Sequence, residues 1–509
     1  MRNREWKSMN EEEFEAMLEC SVSDFPPEDM VEEVTPWKKA MRRVLVGMAL
    51  CTVTLNFWCL NYLLPSIGMV LALLGFRTLQ RENKWFRSCF FISVIRTACF
   101  FPVLILHTTI LQSVLLSALS TVLTLISLIL LFGQFFCLWR GLRDVQKKVY
   151  LPPRAGSAVA LMVWYALICV LALIRYEGFL IVIAMIVGYL FLIRNLYQLS
   201  KELDEAGYSI RTVSLHVTDR CIVLILVSAL TIGFACGYSF GGRYPMNWAA
   251  VNSAEQTENN EIRKQLIELG FPEYVLNDLT AEDIASCAGA SQIVVDVTEK
   301  SLLEGSTTTE IYGSDGEYNA GLRSDSLAGD LRLTGIAVQI PGEWERWIIF
   351  HHFLWTANPG CYGTESIQLW PVYQNSSDGW GAAGDVTGQV LYDRDGKTYA
   401  SAYHYLGNQT FTSDSILWGE QTRTNVFATF SMPVRGEHYR GYIAYPIVEL
   451  QDGYLISSWV NYTHQKSRIQ YPAVTAMEHQ MTGNWNENGA FITIQEEFSP
   501  SEEDTEIIR

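Results

Sequence analysis

One arginine stands in the middle of an otherwise apolar run. The stretch IRTACFFPVLILH, residues 95–107, places Arg96 about halfway along a segment suited to lipid. A charge at that depth costs about 2.5 to 3.5 kcal/mol on insertion scales. Arg96 is therefore either an anion contact in a helix loosened by Pro102, or a long side chain that reaches the headgroups or bonds to Asn56, threonines or free carbonyls. We favour the second interpretation because no acid is at hand to neutralise the charge.

The missing acids also bear on transport. The interiors of the apolar segments contain no aspartate or glutamate. Proton-coupled and sodium-coupled transporters usually hold a carboxylate or an opened backbone near the middle of the bilayer. The sequence therefore favours a scaffold or signal relay over a cation-coupled transporter.

Tryptophans are the second candidate feature, and several lie in or beside predicted strands of the C-terminal half. Trp380 in SSDGWGAAG and Trp485 in GNWNENG occupy predicted loops. Loop tryptophans could form an exposed flat surface for a sugar ring or a protein partner. The alternative is that these rings fill the core of a β-sandwich. We take Trp380 and Trp485 as the candidate ligand-binding residues.

The histidines and cysteines form no recognisable metal motif. His351 and His352 are neighbours in a predicted strand, so their side chains should point to opposite faces. Neither CxxC nor HExxH spacing occurs in the chain. Cys287 and Cys361 lie well inside the C-terminal half, where they form either one disulfide or two free thiols. We expect no metal and no cofactor.

Catalysis has little support from the residues. Pairs of carboxylates suited to glycoside hydrolysis are so frequent in the acidic half that no single pair stands out. We therefore expect a protein that is not an enzyme, with no catalytic residues assigned.

The chain has two halves of opposite character. Of its 509 residues, 49% are hydrophobic and only 18% are charged, which is unusual for a wholly soluble protein. The apolar residues are concentrated before residue 240. After that point there are 36 acidic and 15 basic side chains, a net charge of −21, which leaves +4 for the first 240 residues. So acidic a half excludes nucleic acid as a partner.

Seven segments are apolar enough to be membrane spans, and their flanks suggest an orientation. The predicted spans are 44–61, 63–80, 88–107, 111–138, 157–174, 178–193 and 220–239. We interpret the first two as a hairpin, because the basic residues on both sides of it then share the cytoplasmic side. Seven crossings from a cytoplasmic N-terminus put residues 241–509 outside the cell.

The C-terminal half begins with helices and continues with strands. Residues 261–290 carry apolar side chains at helical spacing, and Thr280 is a suitable N-cap. After about residue 330 the period becomes two, with turn sequences such as DRDGK and LQDGY between strands. The predicted strands are 331–340, 347–356, 366–373, 388–393, 398–405, 424–432, 439–447, 454–462 and 491–496.

These patterns predict an α-helical polytopic membrane bundle with seven spans, plus a C-terminal mainly-β extracytoplasmic domain of the β-sandwich or jelly-roll type with a small helical segment. The regions are an acidic cytoplasmic tail at 1–43, a transmembrane domain at 44–240, a helical linker at 241–330, the β-rich domain at 331–498 and an acidic disordered tail at 499–509. The tail holds a short amphipathic helix that could dock a cytoplasmic protein.

The expected function is that of a multi-pass protein of the cell membrane whose outer domain binds or senses a glycan or protein ligand, in a regulatory or interaction role. The partners would then be the lipid bilayer, the outer ligand and a cytoplasmic protein. Two alternatives stay open: a subunit of a transporter or export system, and a membrane-anchored surface hydrolase.

Overall fold

The computed structural model describes most of the chain, in two compact units. The described residues are 36–52, 57, 59–152, 155–174, 176, 178–206, 208, 210, 217–251, 259–300, 330–374, 379–415, 419–451, 454–482 and 489–499. The helical unit comprises residues 1–104 and 116–231, and the β unit comprises residues 105–115 and 232–509. The predicted helix in the tail, Trp485 and the acidic C-terminal tail after Ser499 lie outside the described residues.

Among the described residues up to Phe240, seven long helices occur. They are α1 (Pro36–Thr52), α2 (Leu60–Leu79), α3 (Lys84–Leu106), α4 (Leu111–Lys148), α5 (Gly156–Leu173), α6 (Phe179–Glu205) and α7 (Asp219–Phe240). Helices α2 to α7 are long and apolar enough to cross a membrane. The protein is therefore a multi-pass membrane protein.

The predicted count of seven spans is not confirmed, and α1 is the reason. The predicted first span, 44–61, falls on a helix that starts at Pro36 and has only 17 residues. Its first half carries Lys38, Lys39, Arg42 and Arg43, so the apolar part is short. Six helices among the described residues meet the length and composition of a span.

Helices α1 and α2 pack against each other through glycines. A Cβ atom added to Gly68 would lie 2.6 Å from the carbonyl oxygen of Gly47, and one added to Gly75 would lie 2.8 Å from the carbonyl oxygen of Ala40. Both distances are shorter than van der Waals contact, so only glycine permits this approach of the two backbones. The small residues of α2 therefore serve helix packing.

A single carboxylate forms ion pairs that connect three helices of the helical unit. Asp219, the first residue of α7, accepts from Arg43 of α1 at 2.7 Å and from Arg77 of α2 at 2.9 Å. Arg77 also donates to the carbonyl oxygen of Val217. The first half of α1, the end of α2 and the start of α7 consequently meet in the helical unit.

The described part of the β unit contains thirteen strands in two antiparallel sheets. The strands are β1 (Ala249–Ala250), β2 (Gln292–Lys300), β3 (Leu331–Ile340), β4 (Arg346–Trp355), β5 (Glu365–Trp370), β6 (Trp380–Ala382), β7 (Thr387–Arg394), β8 (Lys397–Ala402), β9 (Tyr405–Ser415), β10 (Gly419–Phe430), β11 (Glu437–Glu449), β12 (Ser458–Gln465) and β13 (Phe491–Phe498). One sheet has eight strands in the order β1-β8-β7-β11-β4-β3-β2, with β6 also paired to β11. The other has five strands in the order β13-β12-β5-β10-β9.

Every predicted strand overlaps an observed strand, and the mainly-β character of this half is confirmed. Four strands were not predicted: β1, β2, β6 and β9. Strand β9 is an edge strand with the polar sequence YLGNQTFTSDS, so its side chains show no apolar alternation. Its backbone pairing with β10 holds it in the sheet.

Four short helices accompany the sheets. They are α8 (Asn260–Glu268), α9 (Glu273–Leu276), α10 (Ala281–Ser286) and α11 (Ala476–Met481). Thr280 is the N-cap of α10 as predicted, since its side chain accepts from the backbone N–H of Asp283. The first three helices form an apolar cluster with one face of the eight-stranded sheet. Helix α11 bonds to the five-stranded sheet through Gln480, which accepts from Ser366 and donates to Asn461 O.

Strand β4 shows why one stretch is apolar without alternation. In RWIIFHHFLW, Ile349 and Phe353 join a core cluster that also contains residues of the five-stranded sheet. Ile348 and Phe350 join the cluster formed with the helices. Both faces of β4 are thus buried, as in any strand covered on two sides.

Candidate functional site

Of the two predicted ligand-binding tryptophans, the structure describes Trp380. Trp380 is only 6% exposed and belongs to the core of the β unit, where its Nε1 donates to the carbonyl oxygen of Tyr454 at 3.2 Å. Its ring is therefore unavailable as an exposed platform. Trp485 lies outside the described residues.

The other predicted site residues are placed separately. Cys287 is a buried free thiol and Cys361 a half-buried one, so this structure has two thiols and no bond between them. Arg96 donates through Nη1 to the side-chain oxygen of Gln134 on α4, which gives the guanidinium a partner among the helices.

The structure assembles a different pair of tryptophans on the five-stranded sheet. Trp370 ends β5 and Trp459 lies near the start of β12, and the two residues are direct partners in the antiparallel register. Partners in adjacent strands project from the same face of a sheet, about 5 Å apart. Both rings are half-buried.

These rings line an open groove, here called the tryptophan groove, of about 600 Å³. Its lining residues are Trp370, Gln374, Arg423, Thr424, Asn425, Trp459 and Gln495. The volume falls in the range of small-molecule sites, about 300 to 1,000 Å³. All of the lining side chains other than the two indoles are polar or charged.

The strand register explains this composition. Along β5 and β12, Leu369 and Val460 belong to the core, whereas their neighbours Trp370 and Trp459 point away from it. The next outward position on β12 is Asn461, which is the register partner of Gln495 on β13. The outward face therefore carries a row of amides beside the pair of indoles.

Two amides in the groove keep hydrogen-bonding atoms without a partner. Gln374 Nε2 donates to Asn425 Oδ1 at 3.1 Å. Among the described residues, the remaining atoms of this pair, Gln374 Oε1 and Asn425 Nδ2, have no partner although both are buried. Asn425 as a whole is 2% exposed. A buried polar atom without a partner costs about 1 to 3 kcal/mol, so one acceptor and one donor here favour a bound ligand.

The charge around the groove is mixed and sparse. Arg423 is exposed at one side. Glu497 is the register partner of Trp459 on β13 and accepts from Ser457 Oγ at 3.2 Å. None of the described lining residues is acidic, so the groove holds no pair of carboxyl groups such as glycoside hydrolysis requires.

The histidines of the β unit have structural partners. His351 bonds to Ser458 Oγ at 2.7 Å, and His352 bonds to Asp278 Oδ2 at 2.9 Å, on opposite faces of β4 as predicted. Burial lowers the pKa of His351 to about 4. Burial also shifts the pKa of Glu365, in this case upward. His464 opposes that shift, since its Nδ1 lies 2.8 Å from Glu365 Oε1. No group of three or more metal-ligating side chains occurs among the described residues.

One short sequence matches a catalytic motif but does not have the fold that the motif requires. GYSFG, residues 237–241, matches the GxSxG pattern of a nucleophile elbow. That elbow is a sharp turn from a strand into a helix. Ser239 instead lies within the last turn of α7. The pattern is thus part of a membrane helix and forms no nucleophile site.

The pairing of Trp370 with Trp459 was missed because 89 residues separate them in the chain. A local signal was present on each strand. SIQLW and WVNYTHQ each alternate polar or aromatic residues with core residues, which marks an outward face rich in amides and indoles. Only the pairing of β5 with β12 shows that the outward faces of these two strands belong to one continuous surface of the sheet.

Comparisons of the chain with models of protein families, with curated proteins and with solved structures give no match.

Proposed function

We propose that this protein is a seven-span protein of the cell membrane whose extracytoplasmic β-sandwich domain binds a saccharide in the tryptophan groove. The observation that carries the proposal is the cross-strand pair Trp370 and Trp459 beside the unpartnered amide atoms of Gln374 and Asn425. The binding would serve sensing or interaction rather than catalysis.

The ion pairs of Asp219 support the orientation. They hold the first half of α1 and the end of α2 beside the start of α7, and Ala40 of α1 packs against Gly75 near the end of α2. A helix of 22 residues such as α7 is about 33 Å long, which suffices to cross the bilayer. If α7 crosses once, the chain before α1 and the chain after α7 lie on opposite sides, as an odd number of spans requires.

The distribution of positive charge supports the choice of side. Basic residues cluster where α1 begins, where α2 ends and where α4 ends. The examples at these three places are Lys38, Lys39, Arg77, Arg81, Lys147 and Lys148. Such residues favour the cytoplasmic side. The β unit would then lie outside the cell.

A pair of tagged proteins tests the orientation. An epitope added after Arg509 is expected to bind antibody on intact cells, whereas an epitope added before Met1 should bind only after permeabilisation. Protease added to intact cells should digest the β unit and spare the N-terminal tag. The opposite pattern of access, or equal access of both tags before permeabilisation, would contradict the proposed orientation.

The chemistry of the groove supports a saccharide as the ligand. Sugar rings present C–H groups on their faces and hydroxyls at their edges. The apolar faces of two adjacent indoles suit the ring faces. A hydroxyl both donates and accepts, so a single sugar hydroxyl could satisfy Asn425 Nδ2 and Gln374 Oε1 together. A purely apolar ligand would leave both atoms without a partner.

Binding to a glycan array by the purified full-length protein tests this assignment. We expect Trp370→Ala and Trp459→Ala each to weaken binding to the recognised glycan about tenfold or more, because each removes an indole face on which a sugar ring would pack. Dissociation constants for that glycan, measured in detergent, provide the readout.

Trp344→Ala is the matched control, since Trp344 is 62% exposed and does not line the groove. It should leave the dissociation constant unchanged. Thermal unfolding of each variant separates lost binding from lost folding. Absence of any bound glycan, or normal binding by the Trp370→Ala, Trp459→Ala double variant, would refute the saccharide site; binding of a protein instead would assign the groove to a protein partner.

A further inference from the structure

The helical unit contains a cavity of about 250 Å³ that is lined by five helices. This Arg96 cavity has as its lining residues Met48, Cys51, Thr52, Met69, Ala72, Ser93, Arg96, Leu131, Gln134, Phe135, Tyr165 and Ile168. Its volume exceeds by far what a single water molecule needs. The cavity thus has room for a ligand of several non-hydrogen atoms.

Arg96 brings a positive charge to this cavity that no acid balances. Its guanidinium donates to the neutral side-chain oxygen of Gln134, and no carboxylate lies within ion-pair distance among the described residues. The five lining helices, α1 to α5, contain one acid, Asp144, ten residues beyond Gln134 on α4. A cation among apolar helices is costly without a counter-charge.

Gln134 holds the arginine in place. The amide nitrogen of Gln134 donates to Ser93 Oγ at 3.2 Å, which turns its oxygen toward Arg96. Ser93 lies on α3, one turn before Arg96. A guanidinium has five N–H donors, and within the described chain Gln134 is the acceptor found for it. Several donors are therefore left for a ligand in the cavity.

Hydroxyl groups line the cavity around the arginine. Tyr165 of α5 and Thr52 of α1 share a hydrogen bond through their hydroxyls. Thr52 also donates to the hydroxyl of Tyr189 at 2.9 Å, and Tyr189 donates to the carbonyl oxygen of Met48 at 2.9 Å. Each of these hydroxyls has a single proton, and the bonds described occupy all three. Ser93 Oγ accepts from Gln134 and has no acceptor among the described residues, so its proton is the neutral donor beside the guanidinium.

We propose that the Arg96 cavity binds a phosphate group, carried by a lipid or free in solution. A tetrahedral phosphate has oxygens that point in several directions, so it can accept from several N–H groups of the guanidinium and from the Ser93 hydroxyl together. A planar carboxylate presents two oxygens along one direction and fits this arrangement less well. The apolar remainder of the lining, including Met69 and Phe135, suits the rest of a lipid molecule.

The site is independent of the tryptophan groove and would stand if the groove bound nothing. The bound phosphate would supply the negative charge that the lining helices lack. Binding should consequently stabilise the helical unit, by an amount that depends on Arg96.

Thermal unfolding of the full-length protein in a neutral detergent tests the proposal. The probes are inorganic phosphate, dihexanoyl phosphatidic acid and dihexanoylglycerol, where the last two differ only in the phosphate. We expect one or both phosphate-bearing probes to raise the Tm by about 3 °C or more, and dihexanoylglycerol to have no such effect. A rise with phosphatidic acid alone assigns a lipid source, and a rise with inorganic phosphate assigns a soluble one.

Arg96→Gln should abolish the rise in Tm. Arg87→Gln is the matched control because Arg87 is an exposed arginine on the same helix, outside the cavity, and it should keep the full rise. Should Arg96→Gln yield no folded protein, Arg96→Lys carries the test, since lysine keeps the charge but not the bidentate geometry, and the rise should fall by half or more. No rise with either phosphate probe, an equal rise with dihexanoylglycerol, or a full rise in the Arg96 variant would overturn the proposal.

Discussion

Asp278→Ala is expected to destabilise the β unit by about 3 to 5 kcal/mol, because it removes the shared partner of two buried side chains. Asp278 is 2% exposed, follows α9 and accepts from His352 Nε2 at 2.9 Å and from Arg440 Nε at 2.7 Å. These partners lie on β4 and β11. The carboxylate therefore attaches the helical segment to the eight-stranded sheet.

Most of the expected loss of stability comes from Arg440. Burial alone would lower the pKa of Arg440, but the carboxylates of Asp278 and Asp393 raise it above its ordinary value. Without Asp278 the guanidinium would keep one carboxylate, Asp393, whose Oδ2 lies 3.0 Å from Arg440 Nη1, and the neutral carbonyl oxygen of His438 at 2.9 Å. A largely buried cation would then be poorly compensated, which is the costly half of breaking a buried pair.

Alkylation of Cys287, read by peptide mass spectrometry, measures this loss. Cys287 is fully buried in the cluster between the helices and the sheet, so its thiol reacts only when that region opens. We expect Asp278→Ala to increase its alkylation rate more than about 100-fold. Asp385→Ala, at an exposed position, is the control and should change stability by no more than about 0.5 kcal/mol. Equal rates in the two variants would show that Asp278 contributes little.

Acidification is expected to remove about 3 kcal/mol of stability from the β unit through His351 alone. His351 is 6% exposed, and burial lowers its pKa from 6.5 to about 4. Above pH 6.5 both the folded and the unfolded chain hold a neutral imidazole, so the group costs nothing. As the pH falls from about 6.5 to about 4 the unfolded chain takes up a proton that the folded chain refuses, and stability declines across that window.

Glu365 acts in the opposite direction. Burial raises its pKa above the ordinary value of 4.5, so its folded form binds a proton more readily than the unfolded chain does. Stability from this group therefore rises as the pH falls through its folded pKa. The contribution of His351 must accordingly be measured as a difference between the protein and a His351 variant.

His351→Gln provides that difference, because glutamine can keep a hydrogen bond to Ser458 and does not titrate. Urea titrations of the full-length protein at several pH values between 7.5 and 4, followed by deuterium uptake of β4 peptides, give the free energy of unfolding. Between pH 6.5 and 4, the free energy of unfolding should depend on pH with a slope that differs between the two proteins by up to one bound proton. His404→Gln, at an exposed histidine, is the matched control for the loss of a histidine from the β unit. Parallel curves for the His351 variant and the unchanged protein would show that His351 does not titrate as described.

Local patterns sufficed to predict the elements of this protein. Runs of about 20 apolar residues are long enough to span a bilayer whatever they pack against, and helices α2 to α7 follow them. Strands such as β3 and β4 were placed within a residue by their apolar content and their turns. Secondary structure depends largely on residues that are neighbours in the chain, so it can be predicted from a single sequence.

The candidate sites depended on contacts between distant segments. Trp380 was expected in an exposed loop, yet β6 pairs with β11 and places the ring in the core. Trp370 and Trp459 become neighbours only through the pairing of β5 with β12. The same holds for Arg96, whose partner Gln134 lies on the next helix.

By itself, the sequence determined the class of the protein: a multi-pass membrane bundle followed by an acidic, mainly-β half. Tertiary structure decided which side chains are buried and which of them meet. The reason is physical: burial of a face depends on the sheet or helix that covers it, and that cover is supplied by residues tens of positions away.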